Sequence, residues 1–352
     1  MVVDREPLPA DVQRLLRSGH GVFPVREAER LRISRGRVAR LAQAGVLTRL
    51  ADGAYADAWE YGRAGEWTAF ALRSRAFTLA CGPGAVAAAW SAGALLDVPT
   101  ISSPPSLPLA FVPHGVRAGS NNVYGCVRAV DLPRSHCAFA GGCWLTPLPR
   151  TVVDIARTSS RADALVVADA ALSTRMSEVA LRTVLDFEAG WRGVRDATWV
   201  VDHADPFAQS PLETLGRLTF IEYGLPMPIS NAWVEVGRDR YRVDHLLPDR
   251  WLAFEGDASL KYDGRDDAGR VVAEQREREW RLRDSGVEVV RYGWDLARHD
   301  RGRLAARFRP HSGTQPQHAT QTQDVTEGQG ARRGRVRRCR DPGRAGQRCP
   351  PA

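Results

Sequence analysis

Lysine is nearly absent from this sequence. The 352-residue chain carries 49 Lys plus Arg, and a single one of these, Lys261, is lysine. Arginine is a rigid fork that stays charged, whereas lysine is a compact point charge whose pKa can be moved by its surroundings. A lone survivor therefore marks a position to inspect. Cysteine pairs are lacking too: Cys81, Cys126, Cys137, Cys143, Cys339 and Cys349 contain no C-x-x-C. That excludes a disulfide framework and the usual zinc spacings, and reduced thiols are expected. No apolar run approaches the roughly 20 residues of a membrane helix. The opening MVVDREPLPADVQ has no apolar signal-peptide core. A cytoplasmic protein with no membrane partner is expected. The sequence also has no Gly-rich phosphate loop, no G-x-S-x-G and no H-E-x-x-H, which leaves a small-molecule enzyme little support.

What is present is the composition of a globular protein, with 43% apolar and 26% charged residues. At roughly 150 residues per domain, two or three domains are expected. The net charge of +8 is uneven. Residues 311–352 hold eight Arg against Asp324, Glu327 and Asp341, so most of the surplus sits in the tail. That tail is rich in Gln, Thr, Gly, Pro and Arg, cannot offset its ordering entropy, and is expected to be disordered. Nucleic-acid binding must therefore be argued from local patches, not from overall charge.

Residues 1–60 read as one such patch. Helices are expected over 11–17, 25–31 and 35–44, with Ser34 capping the third and Gly45 just past its end. Strands are expected over 46–50 and 54–58 around the hairpin dipeptide Asp52-Gly53. Three helices and a two-stranded wing are the winged helix-turn-helix order. From residue 23 to 50 there are seven Arg against Glu27 and Glu29. Arg35, Arg37 and Arg40 on the third helix and Arg49 in the wing are the candidate DNA-binding residues, and double-stranded DNA is the expected partner. The plainer alternative is a solvated face in an Arg-rich protein.

Residues 61–204 are expected to form an α/β middle domain. Helices are expected over 66–79, 84–96, 150–156, 162–172 and 178–187, and strands over 107–112, 123–127 and 143–145. No catalytic constellation stands out here. His114 and His136 read as surface or structural, and Arg150 and Asp154, at helical i, i+4 spacing, are expected to pair.

Residues 205–310 hold the stretch around which the chain is organised, YRVDHLLPDRWLAFEGDASLKY at 241–262. A helix is expected from Ser210-Pro211 to about 223. Strands are expected at 231–236, 241–247, 251–255 and 287–291, with helices at 273–283 and 294–308, giving an α/β sandwich on a mixed sheet. Asp244 falls in a strand, Glu255 ends the next, and Asp257 and Lys261 follow. Buried carboxylates are costly unless neutralised. Three acids and an ammonium at strand ends suit a hydrolytic Mg²⁺ (or Mn²⁺) site, where oxygen ligands hold the ion and lysine steadies water or developing charge. Plainer readings stand beside this one. Glu213, three after Ser210, fits a capping box; Asp244 fits an ion pair with Arg242; Asp257 fits a turn.

With those residues in view, the chain resembles an actinobacterial family that joins an AbiEi-type antitoxin winged helix to a C-terminal PD-(D/E)XK domain like the very-short-patch repair endonuclease. The likeness rests on GVLTRLADGAYA, LTPLPRTVVDIAR, SPLETLGR, YRVDHLLP, FEGDASLKY and GVEVVRYGW, and covers about residues 10–309. It implies an α+β multidomain fold: winged helix, AbiEi-like middle domain and restriction-endonuclease-like sandwich. It implies Glu213 as the carboxylate of the first nuclease helix, Asp244 as the central metal-binding acid, Glu255 and Asp257 as the (D/E)-x-(D/K) element and metal ligands, and Lys261 as the catalytic lysine. The implied activity is Mg²⁺-dependent DNA cleavage connected with toxin–antitoxin or phage-defence systems, with a cognate toxin as a further partner. The chain departs from the pattern at Glu255-Gly256-Asp257-Ala258, where the family has an apolar residue after the glutamate and a glycine after the aspartate. It departs again at Gln275-Arg276, where Glu-Lys is expected. The alternative is an AbiEi-type antitoxin or transcriptional regulator whose nuclease-like domain is inactive.

Overall fold

The structure, a computed structural model, describes residues 8–116, 119–174, 176–236, 238–257, 268–312 and 336–337; for 268–275, 312 and 336–337 it describes the backbone alone. Among the described residues the fold is mixed α/β, with 14 α-helices and three sheets. No helix among them is long and apolar enough to cross a membrane. The chain divides into two compact units. The first runs to residue 203 except for 172–175, and the second takes those four and everything from 204 onward.

The first unit opens with α1 (Ala10–Ser18), β1 (Val22–Pro24), α2 (Val25–Arg30), α3 (Arg35–Gln43), β2 (Leu47–Ala51) and β3 (Ala54–Asp57). The local chemistry explains these elements. Ser34 accepts the Arg37 amide at 3.3 Å and caps α3. Gly53, at φ +66°, turns the β2–β3 hairpin. The sheet order is β1-β3-β2, so the short strand before α2 completes it. Leu15, Phe23, Ile33, Val38 and Leu47 form the core beneath the helices.

The chain continues through α4 (Ala58–Arg63), capped by Asp57, and α5 (Glu66–Ala80). Then come β4 (Val86–Ala87), α6 (Trp90–Leu95), β5 (Leu109–Pro113), β6 (Cys126–Val130), β7 (Ala138–Ala140) and β8 (Cys143–Leu145). The unit ends in four helices, α7 (Leu148–Thr158), α8 (Arg161–Ser173), α9 (Glu178–Phe187) and α10 (Val194–His203). Its sheet order is β6-β5-β4-β8-β7. Ala76 and Phe77 of α5 share a core with Val22, Leu50, Ala51, Ala54 and Ala56. The first sheet and α5 are therefore packed as one body.

Residues 84–96, expected as one helix, divide into β4 and α6. Val86 and Ala87 pair with β5 on one side, and Ala87 with β8 on the other. Gly84 and Ala89 adopt φ values of +102° and +48° that no helix interior accepts. An Ala-rich, almost wholly apolar run has no periodicity to separate strand from helix, and sheet pairing decides.

The second unit comprises α11 (Pro211–Glu222), β9 (Ile229–Val236), β10 (Asp239–Leu247), β11 (Leu252–Asp257), α12 (Ala268–Asp284), β12 (Glu288–Gly293), α13 (Trp294–His299), α14 (Arg301–Ser312) and β13 (Val336–Arg337). Sheet order is β12-β11-β10-β9-β13. β9, β10 and β11 are antiparallel neighbours, and β12 runs parallel to β11. Leu282 of α12 packs on Val243, Leu246 and Ala253. Phe220 of α11 and Phe308 of α14 stack at 4.9 Å, and both meet the Phe254 ring. Residues 294–308, expected as one helix, break at Asp300, whose backbone leaves the helical region (φ −144°, ψ 65°). Its carboxylate accepts the Arg303 amide at 2.9 Å and starts α14. Of the tail expected to be disordered, 311–312 close α14 and 336–337 pair with Val234 and Trp233 of β9; the rest lies outside the described residues.

Candidate active site

Three carboxylates from three elements of the second unit, α11 and the inner strands β10 and β11, come together. Glu213 stands in the first turn of α11. It bonds reciprocally with the N-cap side chain, its amide 3.2 Å from Ser210 Oγ and its Oε1 accepting the Ser210 hydroxyl at 2.9 Å. Capping does not exhaust it. Oε2 also accepts the Gln209 amide at 2.9 Å and the side-chain amide of Asn231 on β9, and Glu213 is 8% exposed. A capping glutamate on a solvated helix would not be buried against a second element.

Asp244, on β10, accepts the Gly256 amide of β11 at 2.8 Å through Oδ2. Its fixed partner is thus a backbone amide, not the Arg242 guanidinium. Burial pushes its pKa up to about 6, the Glu213 charge pushes the same way, and the Gly256 amide, then Arg278 and Arg242, pull it down by less. Glu255 is buried on the neighbouring strand. Its pKa is pushed up to about 7 by burial and by Asp244, against Arg278 and Arg291. Arg278 of α12 bridges Glu255 Oε1, at 3.1 Å, and the Arg242 carbonyl. The three acids therefore feel one another.

Asp257 closes β11, two residues after Glu255. Its Oδ2 lies 3.7 Å from Arg291 Nη1. Lys261 lies outside the described residues, as does the side chain of Gln275. Arg276 is exposed.

Among the described residues, no group of three or more His, Cys, Asp or Glu stands close enough to enclose a metal ion. Mg²⁺ does not demand such a cage; it is commonly held by one or two carboxylates, with water and substrate phosphate completing the octahedron. Asp244 and Glu255 are a donor pair of that kind. They are hard oxygen ligands on adjacent strands, and like-charge repulsion between them is what a divalent cation relieves. Asp244 and Glu255 would be the residues to hold such an ion, with Arg278 at Glu255 Oε1 beside it.

Gly256 has a structural reason. A Cβ there would lie 3.0 Å from Leu212 Cγ, 3.1 Å from Leu212 Cδ2 and 3.3 Å from Tyr292 Cζ. The space of an apolar side chain at this point of the strand is already filled from α11 and β12. Tyr292 is buried in turn, its hydroxyl 3.1 Å from His245 Nε2, and Gly216 leaves room for that hydroxyl, which a Cβ would meet at 2.1 Å. Burial drives the His245 pKa down to about 4, so the imidazole is a neutral strut. Asn231, Arg278, Tyr292 and His245 were not singled out from the sequence. Asn231 had no signal, because nothing shows that a strand residue adopts φ +46° and turns its amide onto Glu213.

In the first unit, Arg35 and Arg40 are exposed on α3, Arg49 is exposed on β2, and Arg37 is half-buried. Arg35 pairs with Glu29 at 2.6 Å, Arg37 with Asp11, and Arg49 with Asp52. Arg40 Nε reaches the Gly36 carbonyl at 3.4 Å. Arg37 is thus partly a tie between α3 and α1, and the Asp11 carboxyl is held below its ordinary value by it.

The same unit buries a second charged cluster. Arg150 and Asp154 pair at 3.0 Å, and Arg157 lies 3.1 Å from Asp154 and 3.0 Å from Glu188. Arg150 also meets His136 Nδ1 at 2.7 Å and faces the Trp191 ring at 4.9 Å. His136 is therefore a buried member of a network, and His114 is exposed. The cluster reads as the charged brace between α7 and α9.

No family model matches the chain. Over 164 residues, 46% of this chain, it is 33% identical to two proteins of Mycobacterium tuberculosis, uncharacterized protein MT2308 of strain CDC 1551 / Oshkosh and uncharacterized protein Rv2248 of strain ATCC 25618 / H37Rv. The chain spans 59% of the length of each.

Proposed function

We propose that this chain is a DNA-binding protein with a metal-dependent phosphodiesterase domain, related to proteins that join an AbiEi-type winged helix to a PD-(D/E)XK nuclease. The observation that carries the reading is the convergence of Glu213, Asp244 and Glu255 from a helix and two adjacent strands, with Asp244 fixed on the Gly256 amide. Buried like charges are costly, and a site for a cation and a phosphate gives that cost a purpose. Asp244 and Glu255 would hold Mg²⁺ or Mn²⁺, which supplies Lewis acidity and water activation when bound. Glu213, oriented by Ser210, Gln209 and Asn231, adds negative charge beside them. Arg278, already at Glu255, is placed to meet a phosphate oxygen. Lys261 belongs to this proposal by its place in the sequence. The three helices and hairpin of residues 10–57, with exposed Arg35, Arg40 and Arg49, support a winged helix that reads duplex DNA. Relaxation of supercoiled plasmid in Mg²⁺ or Mn²⁺, abolished in Asp244→Ala, tests it; equal relaxation by that variant would refute the site.

A second reading has its own observation. Glu255 is already neutralised by Arg278, and Asp257 faces Arg291, as in a structural ion-pair network. On that reading the chain is an antitoxin or transcriptional regulator, a cognate toxin is a further partner, and the second unit binds without cleaving.

A further inference from the structure

A groove of about 740 Å³ opens beside the carboxylates, walled by the β9–β10 hairpin and α12. Its apolar surfaces are aromatic: Phe207, Trp233 and Tyr241. Among the described residues its charges are Arg240, Arg242, Arg278 and Arg281 against one acid on the wall, Asp239. The register interleaves the two kinds. Arg242 stands directly across from Trp233, and Arg240 places its guanidinium 5.1 Å from the Trp233 ring. Acids outside the wall neutralise part of this charge. Glu277 and Asp239 hold Arg281 at 2.8 and 3.0 Å, and Glu235 lies 3.8 Å from Arg240. Arg242 is exposed, its carbonyl accepts from Arg278, and its charge acts on Asp244.

Three residues of the groove wall bond to the acid cluster. Gln209 and Asn231 line the groove and donate to Glu213; Arg278 lines it and pairs with Glu255. A chain lying in the groove is led to those carboxylates.

We propose that this groove binds an unpaired segment of a DNA strand, with bases stacked on Trp233 and Tyr241 and phosphates on Arg242 and Arg240. Aromatic faces interleaved with arginines are the chemistry of single-strand binding, because each base offers a ring face and each linkage a negative charge. Paired bases keep those faces inside the duplex stack, so a duplex gains nothing from Trp233. The volume lies within the range of about 300–1,000 Å³ typical of pockets for compact ligands, which suits a nucleotide or two. What is done to the strand rests on the nuclease reading; its binding does not.

The test uses the full chain in EDTA, where no metal-dependent cleavage occurs, and follows the anisotropy of a labelled oligothymidylate and of a duplex of equal length. The expected result is saturable oligothymidylate binding that falls about tenfold or more in Trp233→Ala, the scale of removing one base stack. Trp233→Phe keeps a stacking face and restores binding, and duplex affinity is unchanged in both. Arg242→Ala lowers the salt slope by about 0.7, the value for one neutralised phosphate on a single strand. It carries the test alone if Trp233→Ala fails to fold. No saturable oligothymidylate binding, equal loss for single strand and duplex, or binding of oligouridylate in place of oligothymidylate overturns the proposal. Binding retained by a chain that never cleaves plasmid would instead count against the nuclease reading while leaving this one standing.

Discussion

Gly256 links the packing of the second unit to its chemistry. Its amide holds Asp244, and its missing side chain admits Leu212 and Tyr292. Gly256→Ala is expected to destabilise the protein by about 1–3 kcal/mol, the usual cost of overpacking. Leu212→Ala in the same chain should recover part of it, and urea denaturation of the two single variants and the double variant measures the coupling. Additive losses would mean that the two residues do not compete for this space. The sequence showed Gly256 only as a departure from a pattern; its reason lies in a contact with α11, which no local rule reveals. Asp244, Glu255 and Glu213 were legible, because acids among apolar strand residues are conspicuous and Ser210-Pro211 fixes the helix start. Protonation follows from the same residues. Folding raises the pKa of Asp244 to about 6 and of Glu255 to about 7. Between about pH 4 and pH 7 the folded state therefore keeps protons that the unfolded chain has released, and stability falls as pH rises through that window. The Tm of the metal-free protein is expected to drop from about pH 5 to pH 8, and added Mg²⁺ to raise it more at pH 8 than at pH 5, since protons compete with metal. A Mg²⁺ effect independent of pH would detach the ion from these carboxylates.

At the scale of elements, α3 and the tail carry separate expectations. Arg35 and Arg40 are exposed, whereas Arg37 ties α3 to Asp11 of α1. Arg35→Ala with Arg40→Ala should weaken binding of any duplex and lower its salt slope by about 2, roughly one for each phosphate no longer neutralised. Arg37→Ala should add a small loss of stability, below about 1 kcal/mol for a part-exposed pair. An unchanged salt slope in the double variant would remove α3 from the DNA surface. These measurements need at least the first unit, because Val22, Leu50 and Ala51 share a core with α5 and are uncovered in a chain ending at residue 60. Truncation after Ser312 removes β13, a two-residue strand on the edge of the sheet, and is expected to leave Tm within about two degrees; a larger fall would assign the tail a structural role. Elements were legible where caps and turns punctuate them, as at Ser34, Asp52-Gly53 and Pro211. They were not where pairing with distant strands decides, as at Val22–Pro24 and Val86–Ala87.

For the whole molecule, each unit shows how it accommodates buried charge. In the first, Arg150, Arg157, Asp154 and Glu188 neutralise one another. In the second, Asp244 and Glu255 keep raised pKa values beside Glu213 despite Arg278, Arg242 and Arg291, and on the proposed reading a divalent cation completes their neutralisation. Isothermal titration of Mn²⁺ into the full chain at neutral pH tests that claim most directly. Uptake is expected for the wild type and is expected to vanish in Asp244→Asn, which keeps the shape of the side chain and removes its charge. Undiminished uptake in that variant, or none by the wild type at millimolar metal, would contradict a metal site at Asp244 and leave the regulator reading.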